Sequence, residues 1–417
     1  MINKIKPKSD FGRNVLTLMT GTAIAQAIPI AISPILTRIY SPSEFGLFAL
    51  FLSVVTIPAL IVTGRYELAI MLPKKDDDAM NIVLSSITIS FFVSVIVFFV
   101  VFIFNENITD LLENEEISNW LYFIPFTVFM TGLYKSLDYW FNRKKEYKDI
   151  SSNKILQSGV TGGSNLIFGF GGLTNIGLIF GNLFGQFLTT SYFARIFYKK
   201  YKMEIKLNKI KSYALLKKYK KFPIYNMPNA VIDGLRLSGI SILIAKFYTT
   251  AVLGQFSLAW RMVQMPASII GSSITQVFYQ NISTIDNSKL FNYVNRFIFK
   301  MALIAFIPFL LLYLYGKIIF MFIFGESWGM AGEIVEILVP WLYLNFISSP
   351  ISMVVIKINK QEFSLLASIV YMVIPLTILI IFNELSILSI INYISFGMSS
   401  VLFIYITIVY GILWKIR

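Results

Sequence analysis

The 417-residue chain contains no cysteine and no histidine. It therefore has no disulfide, no thiolate nucleophile, no Cys/His metal site and no histidine proton relay. Any proton coupling falls to Asp or Glu. Charge is scarce as well: 14% of residues are Asp, Glu, Lys or Arg, against 56% hydrophobic and 16% aromatic. A soluble domain is typically about 45–50% apolar and about 25% charged, so the polar side chains are too few to cover a water-facing body of this size. No Walker A glycine loop is present, which excludes ATP hydrolysis by that device. The glycine-rich run from Ser158 to Gly172 follows no strand and is no dinucleotide fingerprint. Its small residues suit close helix packing in a membrane. No cofactor is expected.

What the chain does have is long apolar runs. A spanning helix needs roughly 20 mainly apolar residues, and twelve such runs can be marked, at about 13–37, 44–64, 79–104, 119–137, 150–170, 176–197, 222–247, 254–280, 291–315, 332–356, 363–382 and 387–413. The segment Met1–Asp10 is polar and basic, and the apolar stretch behind it is read as a retained first span. The expected fold is an all-α membrane protein of about twelve transmembrane helices.

The net charge of +14 invites a nucleic-acid reading, but the distribution of the charge argues for topology instead. With the N-terminus in the cytoplasm, the inside segments hold 29 of the 36 Lys and Arg residues. The longest outside connection, Asn105 to Ser118, has five acids and no base. Basic residues concentrate on the cytoplasmic side of membranes, so the expected topology places both termini inside, in a bacterial cytoplasmic (inner) membrane. The basic stretch Arg195–Lys221 divides the chain into a six-helix lobe over 1–197, a linker over 198–221 and a second six-helix lobe over 222–417. In the linker, Tyr213, Leu216 and Tyr219 share a helical face. Such a segment suits the anionic inner leaflet, and an ordinary solvated linker fits equally well.

Charges within spans are costly, on the order of 2.5–3.5 kcal/mol at the bilayer centre, so each needs a reason. Asp233 and Arg236 lie near the middle of the seventh span, three residues apart on one face. They read as a neutralised pair or as a pair facing an aqueous cavity. Arg261 lies inside the eighth span, and Arg38, Arg65 and Glu67 sit at span ends. Lys135 and Asp138 close the fourth span and Lys154 opens the fifth. For Lys135 and Lys154, snorkelling to the cytoplasmic interface is the simpler reading. In-span amides (Gln26, Gln157, Asn165, Asn182, Gln186, Asn226, Gln264 and Gln276) suggest a hydrated interior suited to sugar hydroxyls, with interhelical hydrogen bonding as the alternative. The substrate-binding candidates are Arg236, Asp233, Arg261, Arg38, Arg65, Glu67, Lys154, Asp138, Gln26, Asn226 and Gln264.

Three stretches resemble the Wzx-type polysaccharide flippases. They are the run Pro34 to Phe48, the run Arg65-Tyr66-Glu67-Leu68-Ala69-Ile70 followed by Lys74 to Ala79, and the run Gly254 to Pro266 continuing through Gln276-Val277-Phe278-Tyr279. Gly325-Glu326-Ser327-Trp328 is similar to the family's short outer loop. These flippases belong to the multidrug/oligosaccharidyl-lipid/polysaccharide exporter superfamily. The resemblance implies a two-lobed transporter that alternates between inward- and outward-open states, with ion coupling and a cationic cavity. The implied substrate is an undecaprenyl-diphosphate-linked oligosaccharide repeat unit, moved to the outer leaflet for O-antigen or capsule biosynthesis. A polysaccharide polymerase and a chain-length regulator are the implied protein partners; nucleic acid is not one. Arginine in spans agrees with this, since it binds phosphate oxygens in bidentate fashion. The alternatives are a MATE-like exporter of small cations, which favours acids in its cavity, and a membrane polymerase or ligase, which the short outer loops disfavour.

Overall fold

The structure is a computed structural model describing the backbone of residues 10–358 and 361–416. Side chains are described throughout that range except at 10–16, 233, 237, 266–274, 276–277, 279–280, 283–284, 287–288, 356, 361–368 and 415–416. Among the described residues there is no strand, and twelve helices are at least 20 residues long. We number these α1 (Asp10–Ile39), α2 (Pro42–Ile61), α3 (Asp76–Leu112), α4 (Ile124–Arg143), α5 (Tyr147–Phe170), α6 (Thr174–Tyr201), α7 (Met227–Phe247), α8 (Thr250–Thr284), α9 (Asn287–Phe324), α10 (Gly329–Ser348), α11 (Gln361–Ile381) and α12 (Ile387–Ile416). Each coincides with one of the twelve apolar runs. Six spans are long and apolar enough to qualify on those two properties alone, within α1, α2, α3, α9, α10 and α12. Most of the others carry the in-span charges and amides noted above.

Local chemistry explains the helix ends. At the α1–α2 corner Ser41 caps α2: its hydroxyl accepts from the Glu44 amide at 3.4 Å, and Glu44 Oε2 accepts from the Ser41 amide at 2.6 Å. This is a capping box, and Pro42 occupies the first turn, where its missing N–H costs nothing. Asp76, Asp77 and Asp78 open α3, where negative charge complements the helix dipole. α3 runs to Leu112, eight residues beyond the run seen in sequence. The reason is that Asn105 and Thr109 face inward, each 7% exposed, and Asn105 bonds both the Ser118 hydroxyl and the Ser118 carbonyl.

The chain forms two compact units, residues 1–246 and 247–417. The division falls one helix later than the basic linker, because α7 lies on the first unit. A Cβ on Gly234 would come within 2.6 Å of Leu60 Cδ1 on α2. The core of the first unit is aromatic, with Phe141 and Phe193 stacked at 4.5 Å beside buried Trp140. In the second unit Phe278, Leu290, Val294, Ile351, Val354 and Val409 form the core. Large apolar side chains cover the outside of α3 and α9: Phe92, Phe102, Ile103, Ile304 and Phe322 are between 60% and 82% exposed. Such surfaces need an apolar solvent, and the chain is a multi-pass membrane protein.

The basic linker is partly ordered against the first unit. Its helix, Lys209–Lys218, is capped by Asn208 and pinned to the start of α3. Lys211 pairs with Asp77 and Asp78, and Asn81 Oδ1 accepts from the Asn208 amide at 2.8 Å and the Ser212 hydroxyl at 3.2 Å. The face that packs is therefore Ser212 and Leu215, while Tyr213 is 71% exposed. Tyr213, on the face that the sequence offers to the leaflet or to solvent, points away from the polar anchors on α3.

Candidate functional site

The first unit holds an open cavity of about 320 Å³, walled by α2, α4, α5 and α6. Its polar lining comes from a repeated pattern. Residues four apart share a helix face, and α4 contributes Thr127, Thr131 and Lys135, α5 contributes Gln157 and Thr161, and α6 contributes Asn182 and Gln186. α2 adds Thr56 among apolar Leu52, Val55, Ala59 and Leu60. Among the described residues no carboxylate lines the cavity, and Lys135 is the one ionic group of that lining.

Three of the four threonine hydroxyls in this lining are committed as donors within their own helices. Thr56 donates to the Leu52 carbonyl at 2.7 Å, Thr127 to Phe123 at 3.0 Å and Thr131 to Thr127 at 2.8 Å. Gln186 Nε2 donates to the Thr131 hydroxyl at 2.9 Å and the Thr127 carbonyl at 3.3 Å, while its Oε1 is buried without a donor. Close approach of α5 and α6 frames this wall. A Cβ on Gly181 would stand 2.0 Å from Asn165 Oδ1, and one on Gly185 would stand 2.2 Å from Thr161 Oγ1. Only glycine fits at those two positions.

Beside the cavity lies a charged cluster toward the basic end of the unit. Gly64 and Arg65 both adopt left-handed backbone, φ 60° and 62°. For a non-glycine residue this costs roughly 1–2 kcal/mol. The turn it creates leads into the 3-10 segment Tyr66–Met71 and returns Glu67 to the end of α2. Glu67 is 2% exposed; it accepts a short hydrogen bond from the Thr63 hydroxyl and pairs with Arg65 Nη1 at 3.5 Å. Lys135 Nζ donates to the Ala59 carbonyl at 2.8 Å and is electrostatically coupled to both Glu67 and Arg65. Two cations thus face one acid. Further along, Asp138 has a buried Oδ1 with no hydrogen-bond partner, and the cation that interacts with it is Lys154.

The eleven sequence candidates therefore scatter. Arg65 and Glu67 gather beside Lys135, and Asp138 interacts with Lys154 in the same unit. Arg38 is exposed and donates to the Pro34 carbonyl at 2.7 Å, away from the cavity wall. Gln26, Asn226 and Arg236 are half-buried in the first unit and do not line the cavity, and Arg261 and Gln264 are half-buried on α8 in the second. The side chain of Asp233 lies outside the described residues. Lys135, read from sequence as an interfacial lysine, is the cavity's cation. The signal that would have found it is the four-residue spacing Thr127, Thr131, Lys135.

At the basic end, ion pairs near the surface tie α3 to the end of α4 and α6 to the start of α5. Asp76 pairs with Arg143 at 2.9 Å and Lys144 at 2.6 Å, and Lys200 pairs with Asp149 at 2.8 Å and Glu146 at 3.1 Å. Burial alone would lower the Lys144 pKa, but its hydrogen bonds to Asp76 and Glu204 outweigh that and raise it. In the second unit Gln255 anchors the short loop before α10, donating to the Ser327 carbonyl at 2.6 Å and accepting from the Ala331 amide at 2.8 Å. Among the described residues no group of three or more carboxylates could hold a metal ion.

Comparison with known proteins places this architecture. Residues 35–333 match the family model described as "Polysaccharide biosynthesis protein". An "Uncharacterized membrane protein in cps region" from Klebsiella pneumoniae is 23% identical over 363 residues, which cover 83% of this chain and 70% of that protein. Among solved structures, an inward-facing MATE family transporter of the MOP superfamily superposes with a TM-score of 0.64 at 14% identity, covering 96% of this chain and 95% of that one. A MOP superfamily transporter from Pyrococcus furiosus, whose structure is described as having a binding pocket of reverse polarity, gives 0.58 at 14% identity, covering 97% and 96%. The fold is that of the MATE transporters of the MOP superfamily, and the chain belongs to the polysaccharide biosynthesis protein family.

Proposed function

We propose that the protein is a flippase that carries a polyprenyl-diphosphate-linked oligosaccharide repeat unit from the inner to the outer leaflet of the bacterial cytoplasmic membrane, for assembly of a surface polysaccharide. Membership of a polysaccharide biosynthesis family and a transporter fold support this over an enzymatic role. The observation that carries the reading is the described wall of the first unit's cavity, whose polar groups are hydroxyls, amides and one lysine, with no carboxylate among the described residues. A site for cationic drugs favours acids, so the same wall speaks against the small-cation exporter. The two-lobed arrangement with both termini in the cytoplasm, alternating access and coupling to an ion gradient are parts of the same proposal. With no histidine in the chain, a coupled proton would ride on Asp or Glu. A polymerase and a chain-length regulator would receive the product.

The test is deletion of the gene in its own host. The expected result is loss of the surface polymer with the undecaprenyl-linked repeat unit accumulating on the inner leaflet. Normal polymer together with raised sensitivity to cationic dyes would favour drug export instead.

A further inference from the structure

We propose that the basic linker between α6 and α7 is a docking surface for anionic phospholipid and lies in the headgroup layer at the basic end of the first unit. This needs only a multi-pass membrane protein and is independent of the cargo. Three fixed points place the linker. It leaves α6 at Tyr201 and enters α7 at Met227, so both of its ends are tied to spans. Between them Lys211 pairs with Asp77 and Asp78, and Asn81 holds Asn208 and Ser212. These contacts tie the linker helix, Lys209–Lys218, to the first turns of α3. The helix is therefore held where three spans leave the bilayer.

The orientation of the helix decides what it meets. At 3.6 residues per turn, Ile210, Tyr213 and Lys217 form one stripe, opposite buried Ser212 and Leu215. Tyr219 turns instead toward the core of the first unit. Met203 and Leu207, just before the helix, are exposed as well, and with Ile210 and Tyr213 they stand between 51% and 85% exposed. Lys209 and Lys218 flank the stripe. Over residues 202–221 the linker carries eight lysines and one acid, Glu204, which pairs with Lys144 at 3.3 Å. Lys211 is the one linker lysine with an acid partner among the described residues. Apolar side chains beside a lysine-rich polar face are the composition of helices that lie in the interface plane. The apolar groups enter the acyl boundary, and the lysine stems carry their charges up to the phosphates. Lysines near a membrane surface are attracted by its negative charge, so the fitting partner is a lipid with a net negative headgroup. A soluble acidic protein would answer the lysines, but it would have to reach a helix pinned at the level of the headgroups.

The chain has no cysteine of its own, so one introduced cysteine carries a single spin label. Ile210→Cys and Tyr213→Cys put the label on the stripe, where both side chains are exposed and no packing is lost. Lys75→Cys, exposed at the cap of α3, is the reference for water. Full-length labelled protein is reconstituted into vesicles of phosphatidylcholine alone, or of phosphatidylcholine with an equal part of phosphatidylglycerol. Collisions of the label with oxygen and with a water-soluble nickel chelate are then measured. In the anionic vesicles the ratio of oxygen to nickel accessibility on the stripe should exceed that of the Lys75→Cys label at least fivefold. It should fall at least twofold in phosphatidylcholine alone. The same fall is expected in anionic vesicles on combining Lys206→Gln, Lys209→Gln, Lys217→Gln and Lys218→Gln, with thermal unfolding confirming that this variant is folded. Stripe labels as open to nickel in anionic vesicles as the reference label would overturn the proposal and leave the linker to water or to a soluble acidic partner. Immersion unchanged by lipid charge and by the four substitutions would overturn it too, because the lysines would then play no part.

Discussion

Lys135 reaches from α4 across the cavity wall to the Ala59 carbonyl on α2, 2.8 Å away, with buried Glu67 and Arg65 as its charged neighbours. The lysine is thus both a tie between two helices and the cavity's charge. These two roles separate in a double mutant. Glu67→Gln alone leaves Arg65 and Lys135 uncompensated, and Lys135→Met alone strips Glu67 of a neighbouring cation; each should cost about 1–3 kcal/mol. Because replacing both partners removes the unpaired charge that each single change leaves, Glu67→Gln with Lys135→Met should recover part of the thermal stability in detergent, with Arg65 still lacking its acid, while transport stays lost. Recovery of transport as well would mean the cluster is purely structural.

Glycines on α5 and α6 give a paired test of packing. Gly181→Ala and Gly185→Ala push a methyl into Asn165 and Thr161, and overpacking of this kind typically costs about 1–3 kcal/mol. At Gly163 a Cβ meets nothing within 4 Å. Gly163→Ala should be neutral or should stabilise by up to about 1 kcal/mol, the helix-propensity gain over glycine. Thermal unfolding of the three variants checks the order.

The exposed ion pairs at the basic end should matter little to stability. Asp76 is half exposed between Arg143 and Lys144, and pairs of this kind are worth about 0.2–1 kcal/mol. Asp76→Asn should therefore lower stability by less than about 1 kcal/mol, and by less again in high salt. The raised pKa of Lys144 fixes the sign of the pH effect. Its contribution is complete below the ordinary lysine value and is lost only as pH rises through the folded one, so unfolding between pH 6 and pH 9 should not register it.

Topology is tested by reporter fusions. Fusions ending at Lys75, Lys145, Lys209 and Lys360 should report the cytoplasm, and those at Glu113 and Trp328 the outside. A cytoplasmic signal at Glu113 would contradict the assignment of α3 as a span.

The twelve helices were legible in the sequence because apolar runs and their polar connections are a one-dimensional signal. Where the bounds moved, a specific partner outside the run was responsible. α3 extends past Phe104 because Asn105 finds Ser118, and α9 continues through Lys317 because Glu333 meets that lysine at 2.6 Å. The site was legible in part. Arg65 and Glu67 stand out as charges at a span end, and Gln157, Asn182 and Gln186 as amides within spans. Lys135 did not, since a lysine two turns from a helix end looks the same in sequence whether it snorkels to water or turns inward. Its inward turn depends on the Ala59 carbonyl, which belongs to another helix and leaves no trace in the local sequence.

Movement of a lipid-linked saccharide across the bilayer by this chain alone can be measured in a reconstituted system. Purified protein in proteoliposomes would be given the fluorescently labelled undecaprenyl-diphosphate repeat unit of its own host, with leaflet exposure read by a membrane-impermeant quencher. A flippase gives protein-dependent transfer between leaflets, and Lys135→Met in folded protein should reduce it at least tenfold. Transfer no faster than in protein-free vesicles, from protein shown to be folded and with an ion gradient of either sign imposed, would contradict the flippase reading.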